Sequence, residues 1–99
     1  ISYHIKNITM SYENINVKEA TIIDVREPSE CAEGMIESSI NIPLGDVPNK
    51  IEEFKAMKKP LVLCCRSGNR SGQAAQFLTS LGLEEVYNGG TWQEVNAKL

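Results

Sequence analysis

The run Leu61-Val62-Leu63-Cys64-Cys65 contains no charged or strongly polar side chain and is bounded by Pro60 and Arg66. A short, continuous apolar run of this kind reads as a strand buried on both faces, as at the centre of a parallel sheet. Both faces must then be covered, and the rest of the chain supplies the cover. Ala20-Thr21-Ile22-Ile23-Asp24-Val25 is rich in β-branched residues and reads as a second buried strand. Ser39-Ile40-Asn41-Ile42 reads as a short strand ended by Pro43, and Glu85-Val86-Tyr87 as a last one. Tyr3 to Ile8 alternates weakly, as a first edge strand would.

Helical patterns lie between these strands. Ser29 to Glu33 follows Pro28, which suits a helix first turn, and stops at Gly34. Ile51, Phe54 and Met57 recur at helical spacing, predicting a helix from Pro48 to Lys58 with Asp46 as its cap. Ala74, Ala75, Leu78 and Leu81 give one apolar face to a helix over 71–81, closed by Gly82. A last helix is expected over 91–99. Strands alternating with helices imply an α/β fold, a mainly parallel sheet of about five strands with helices on both faces. Ligands bind such sheets beyond the carboxyl ends of the strands, which is where the residues after Cys64 fall.

Ninety-nine residues make one domain, 1–99, and the net charge is −3. No basic stripe marks a nucleic-acid surface. No apolar run approaches the roughly 20 residues that cross a bilayer. Ile1 to Met10 lacks the charged start and long apolar stretch of a secretory signal. The three cysteines, Cys31, Cys64 and Cys65, form no disulfide framework, and free thiols suit a reducing cytoplasm, the expected location. With one histidine, His4, and no Cys-x-x-Cys pair, no metal is expected, and no cofactor.

The segment Cys65-Arg66-Ser67-Gly68-Asn69-Arg70-Ser71 joins the central strand to a helix. A helix N-terminus offers unpaired N–H groups and roughly half a unit of positive charge. Gly68 and Asn69 tolerate positive φ, so the loop can curl and aim its amides inward. Arg66 and Arg70 add two full charges. A thiolate in such a cradle is favoured over the thiol, so the Cys65 pKa should fall below about 8.5. The next cysteine back, Cys64, should point the other way into the core. Arg70 serves either as a second anion contact or as a structural partner for a carboxylate such as Asp24 or Glu30. Asp24, Arg26 and Glu30 read as charges that brace the loop.

Residues 65–71 resemble the active-site loop of the rhodanese family, and three further stretches agree with that family in order. They are Asp24-Val25-Arg26-Glu27-Pro28-Ser29-Glu30, then residues 34–43, then Asn88-Gly89-Gly90-Thr91-Trp92. The resemblance implies a small rhodanese-like domain and a single-domain thiosulfate sulfurtransferase. Cys65 would take sulfane sulfur as a persulfide from thiosulfate or a similar donor and pass it to a thiol or cyanide. Arg66, Ser67, Gly68, Asn69, Arg70 and Ser71 would hold substrate and persulfide, with Arg66 meeting the donor dianion. In the family a charged residue there goes with thiosulfate-type donors and a smaller one with mercaptopyruvate-type donors. The expected partners are this small-molecule donor and acceptor, with a protein sulfur acceptor as a further option. Neither nucleic acid nor membrane is expected, and the chain should be a monomer.

Related dual-specificity phosphatases place five residues between cysteine and arginine, whereas four separate Cys65 from Arg70, which suits a sulfur atom better than a tetrahedral phosphate. A carrier or docking module is the rival class; family members that only dock typically lack the cysteine present here. Met35 stands where the family usually has histidine, Cys31 reads as a packing residue rather than a resolving thiol, and Trp92 as core rather than ligand contact.

Overall fold

The structure is a computed structural model that describes residues 14–99. The sheet comprises, among the described residues, β1 (Thr21–Asp24), β2 (Ile40–Asn41), β3 (Leu61–Cys65) and β4 (Val86–Thr91). Their order is β2-β1-β3-β4 and every pair is parallel. The expected edge strand over Tyr3–Ile8, like His4, lies outside the described residues. No helix among these residues is long and apolar enough to cross a membrane.

β3 lies inside the sheet and is buried along its whole length, as its composition demands. Strand alternation divides its side chains between two cores. Leu61, Leu63 and Cys65 face Phe54, Ala74 and Leu78, while Val62 and Cys64 face Val17, Ile36 and Val95. The first core is covered by α2 (Ile51–Ala56) and α3 (Asn69–Ser80), the second by α4 (Trp92–Asn96). The remaining helix, α1 (Pro28–Cys31), follows β1 at the sheet's carboxyl end.

Several boundaries differ from the sequence pattern: β4 runs on to Thr91, beyond the strand expected over Glu85–Tyr87, α4 spans Trp92–Asn96 rather than 91–99, and two helix starts differ for local reasons. The helix expected from Pro48 begins instead at Ile51, after a 3-10 helix over Leu44–Lys50 that contains Asp46 and Pro48. Proline lacks the N–H of an α-helical ladder and its ring crowds the carbonyl four residues back, so the chain winds tighter until Lys50. The same helix stops at Ala56, where the Lys59 ammonium donates to the carbonyl oxygens of Phe54, Lys55 and Met57. Second, α3 starts at Asn69, two residues early, because Gly68 turns the chain at φ 95° and its carbonyl accepts the first helical bond, from Gly72 N–H. The far end of α3 closes as Gly82 suggests, with Gly82 N–H on Thr79 and Leu83 N–H on Leu78.

β4 runs through Gly89 and Gly90 by means of a bulge. Leu63 pairs with Asn88, but Cys64 pairs with Gly90, so Gly89 is the extra residue. A Cβ at Gly89 would lie 2.6 Å from Val95 Cγ2 and 2.8 Å from Val62 Cγ1, so only glycine fits between the sheet and α4.

Candidate active site

Cys65 is the last residue of β3, and the chain curls over it before entering α3. Its sulfur accepts hydrogen bonds from Gly68 N–H at 3.0 Å and from Ser71 N–H at 3.4 Å, with the Ser71 hydroxyl oxygen also at 3.4 Å. The early start of α3 matters here. It puts Ser71 in the first turn, where an N–H has no helical acceptor and is free to point at sulfur. Burial is the largest single influence on the thiol and pushes it up. The Ser71 hydroxyl and the N–H groups of Ser71, Ser67 and Gly68 together outweigh that, so Cys65 is held below the ordinary thiol value. The neighbouring thiols go the other way: burial pushes Cys64 up to about 12 and raises Cys31 as well.

The loop is clamped from two sides. Arg70 reaches α1, where its Nη1 and Nη2 donate to Glu30 Oε1 and Oε2 at 2.7 and 2.9 Å. The hydrogen bonds from Arg70 hold the Glu30 carboxyl down at about 2. From β4, Asn88 Nδ2 donates to Gly68 C=O at 3.1 Å, and its Oδ1 accepts from the Ser71 hydroxyl at 2.7 Å and from Gly90 N–H at 3.0 Å.

Beside the loop lies an open cleft of about 400 Å3, whose lining includes Arg26, Glu30, Glu33, Gly34, Arg66 and Trp92. The Cys65 sulfur is fully covered and does not line it. Arg26 builds the wall. Its Nε and Nη2 grip the fully buried Asp24 carboxylate at 2.8–3.1 Å, and Nη2 also donates to Gly34 C=O at 2.8 Å. The hydrogen bond to Asp24 raises the Arg26 pKa further. The same guanidinium lies 5.1 Å from the centre of the Trp92 ring, within cation–π range. With Arg26 and Arg70 both matched to carboxylates, Arg66 stands apart: it is exposed and makes no salt bridge among the described residues.

A family model described as Rhodanese-like domain matches residues 9–96. The chain belongs to the rhodanese-like domain family. It is 39% identical to the uncharacterized protein YqhL of Bacillus subtilis, over 84% of this chain and 65% of that one. It is 34% identical to the thiosulfate sulfurtransferase PspE of Escherichia coli, over 74% of this chain and 71% of that one. Its fold is similar to that of a rhodanese with anions from E. coli, with a TM-score of 0.69 at 30% identity, covering 76% of this chain and 89% of that one. It spans about two thirds of the length of several curated relatives.

In this rhodanese-like domain the residues singled out from sequence gather at one end of the sheet, but not all in one role. Cys65, Gly68 and Ser71 form the sulfur cradle; Ser67 Oγ accepts from Asn69 N–H at 3.3 Å and shapes the turn. The carboxylate partner of Arg70 is Glu30 and not Asp24. Trp92 departs from the expectation of a pure core residue: it packs against the second core and also lines the cleft, because α4 begins directly after β4 and leaves its first residue at the rim. Sequence reasoning missed Asn88 and the cleft residues Glu33 and Gly34. The signal for Asn88 was its place before the Gly89-Gly90 pair, which hides a bulge.

Proposed function

We propose that this rhodanese-like domain is a sulfurtransferase that carries sulfane sulfur as a persulfide on Cys65, with thiosulfate as donor. The observation that carries the reading is a single thiol, held below its ordinary value, at the focus of inward-pointing amides. In the first step the Cys65 thiolate attacks the outer sulfur of thiosulfate. A sulfur–sulfur bond forms at Cys65, and the bond to the sulfonate sulfur breaks with its electron pair leaving on sulfite. In the second step a cyanide or thiolate attacks the outer sulfur, and the pair returns to Cys65 as thiolate. One hard transfer is split into two easier ones. The loop amides stabilise negative charge on sulfur in each state.

The test is intact mass. After thiosulfate treatment the protein should gain the mass of one sulfur atom, located on Cys65, and lose it again on adding cyanide as thiocyanate appears. No gain, or a gain on Cys31 or Cys64, overturns the reading.

Arg66 is the cation left to receive the donor dianion, since the other two nearby arginines are committed. Arg66→Ala should remove a charge-assisted contact of about 1.5–3 kcal/mol, lowering kcat/KM for thiosulfate roughly 10- to 100-fold. Because Arg66 is exposed, the denaturation midpoint should shift by no more than about 0.5 kcal/mol equivalent. Comparison of thiosulfate kinetics with a urea titration checks both halves.

A further inference from the structure

The Ser71 hydroxyl stands between two acceptors. Its oxygen is 2.7 Å from Asn88 Oδ1 and 3.4 Å from Cys65 Sγ, and it has one hydrogen to give. The Asn88 amide has only one sensible orientation. Its oxygen also takes Gly90 N–H and its nitrogen donates to Gly68 C=O, and a flip would lose both bonds. An amide oxygen has no hydrogen, so the 2.7 Å contact requires the Ser71 hydrogen to point at Asn88. Cys65 then faces lone pairs on the Ser71 oxygen. That suits an S–H, which can donate to them, or a bridging persulfide sulfur, which needs no donor. It does not suit a thiolate, which needs the hydroxyl hydrogen turned toward it. If the hydroxyl turns, Asn88 Oδ1 still holds Gly90 N–H, so no buried group is orphaned.

We propose that Asn88 is a positioning residue that controls the charge state of Cys65 through the Ser71 hydroxyl, holding its hydrogen while the sulfur is neutral and releasing it to the thiolate. On ionisation the S–H proton leaves to water and the Ser71 hydrogen only changes acceptor; no proton passes along the chain. The inference deepens the proposed function and rests on Cys65 being the reacting sulfur. In each turnover the hydroxyl would swing to Asn88 as the persulfide forms and back to sulfur when the thiolate returns.

Other charges surround the sulfur but do not replace this control. Arg66 and Arg70 flank it on its own loop, with Glu30 of α1 bonded to Arg70. Cys64 adjoins it on β3, and Asp24 and Arg26, next to that strand, are bonded to each other. On β4, Thr91 pairs with Cys65 and Gly90 with Cys64, neutral Asn88 is bonded to Ser71, and Glu94 of α4 accepts from Thr91 N–H.

Thiolate ultraviolet absorbance against pH reads the effect directly, because Cys31 and Cys64 are both pushed up by burial. Asn88→Ala frees the hydroxyl for sulfur but also removes the Gly68 brace, so it is measured in two backgrounds, wild type and Ser71→Ala. The Cys65 midpoint change caused by Asn88→Ala should be more acidic with Ser71 present, by about half a pH unit or more. Equal changes in both backgrounds overturn the proposal and leave Asn88 as a brace alone. Asn88→Asp provides a second decision if the alanine variant does not fold. It keeps the acceptor and loses the Gly68 donor, and should raise the midpoint more with Ser71 than with alanine there; an equal rise overturns the proposal. The titration needs no sulfur donor, so a failed persulfide assay and a failed coupling are separate results.

Discussion

Cys65→Ser is expected to abolish sulfur loading from thiosulfate and to cut turnover by about a thousandfold or more, with the fold intact. A serine oxygen is smaller than the sulfur and sits on a shorter bond, but it still accepts hydrogen bonds where the sulfur takes the Gly68 and Ser71 N–H groups, so the loop has no reason to open. What is lost is ionisation. The cradle lowers a thiol into the working range, but an alcohol starts far too high for the same donors to ionise it. No other cysteine can substitute, because burial makes Cys31 and Cys64 poorer nucleophiles than a free thiol. Intact mass after thiosulfate and the rate of thiocyanate formation measure the loss; circular dichroism and a urea midpoint measure the fold. Retention of more than a tenth of wild-type turnover would place the nucleophile elsewhere. The same geometry sets the pH dependence of the wild type. A lowered pKa means that thiolate fills in as pH rises through the shifted value. Loading should therefore fall on the acid side and level off before the ordinary thiol value of about 8.5 is reached.

The features legible in the sequence are those fixed by local periodicity. Alternation along Leu61–Cys65 alone puts Cys64 and Cys65 on opposite faces, and the two cores have them there. The loop's composition likewise foretold a turn that aims amides at the thiol. The pairings were not legible, since they depend on segments far apart in the chain. Glu30 and Asp24 are equally plausible partners for Arg70 until α1 is docked beside the loop, forty positions away. Asn88 stood in a recognised stretch, but its partners were hidden for a deeper reason. Its reach to Ser71 and Gly68 goes with the bulge at Gly89, where Val62 and Val95 leave no room for a Cβ. The Gly89-Gly90 pair marks a special backbone there, but residue types alone do not say which side chains pack against it. The 3-10 segment was a matter of degree: Pro48 was read as a helix start, but the turn before Lys50 winds too tightly to be α.

Asp24→Ala should destabilise the protein by about 3–5 kcal/mol, the cost of leaving a buried charge without its partner. Asp24 is fully buried and Arg26 nearly so, with three side-chain contacts between them at 2.8–3.1 Å. An exposed bridge would be worth about 1 kcal/mol or less, so the size of the loss tells the two situations apart. A urea titration with unchanged slope measures it. Adding Arg26→Met to Asp24→Ala should recover a good part of the loss, since the orphaned charge goes with it and an apolar chain of similar length fills the space. If the double variant is no better than the single one, the cost lies in the missing Asp24 carboxylate's own contact with the Arg26 N–H rather than in the stranded guanidinium. The consequence reaches the site, because Arg26 also holds the Gly34 carbonyl and lies over Trp92. In the single variant, a guanidinium seeking water would pull away from both and loosen the cleft wall. Thiosulfate KM should therefore rise even at temperatures where the variant remains folded, while the Cys65 midpoint, set by the loop amides on the other face of β3, should stay in place.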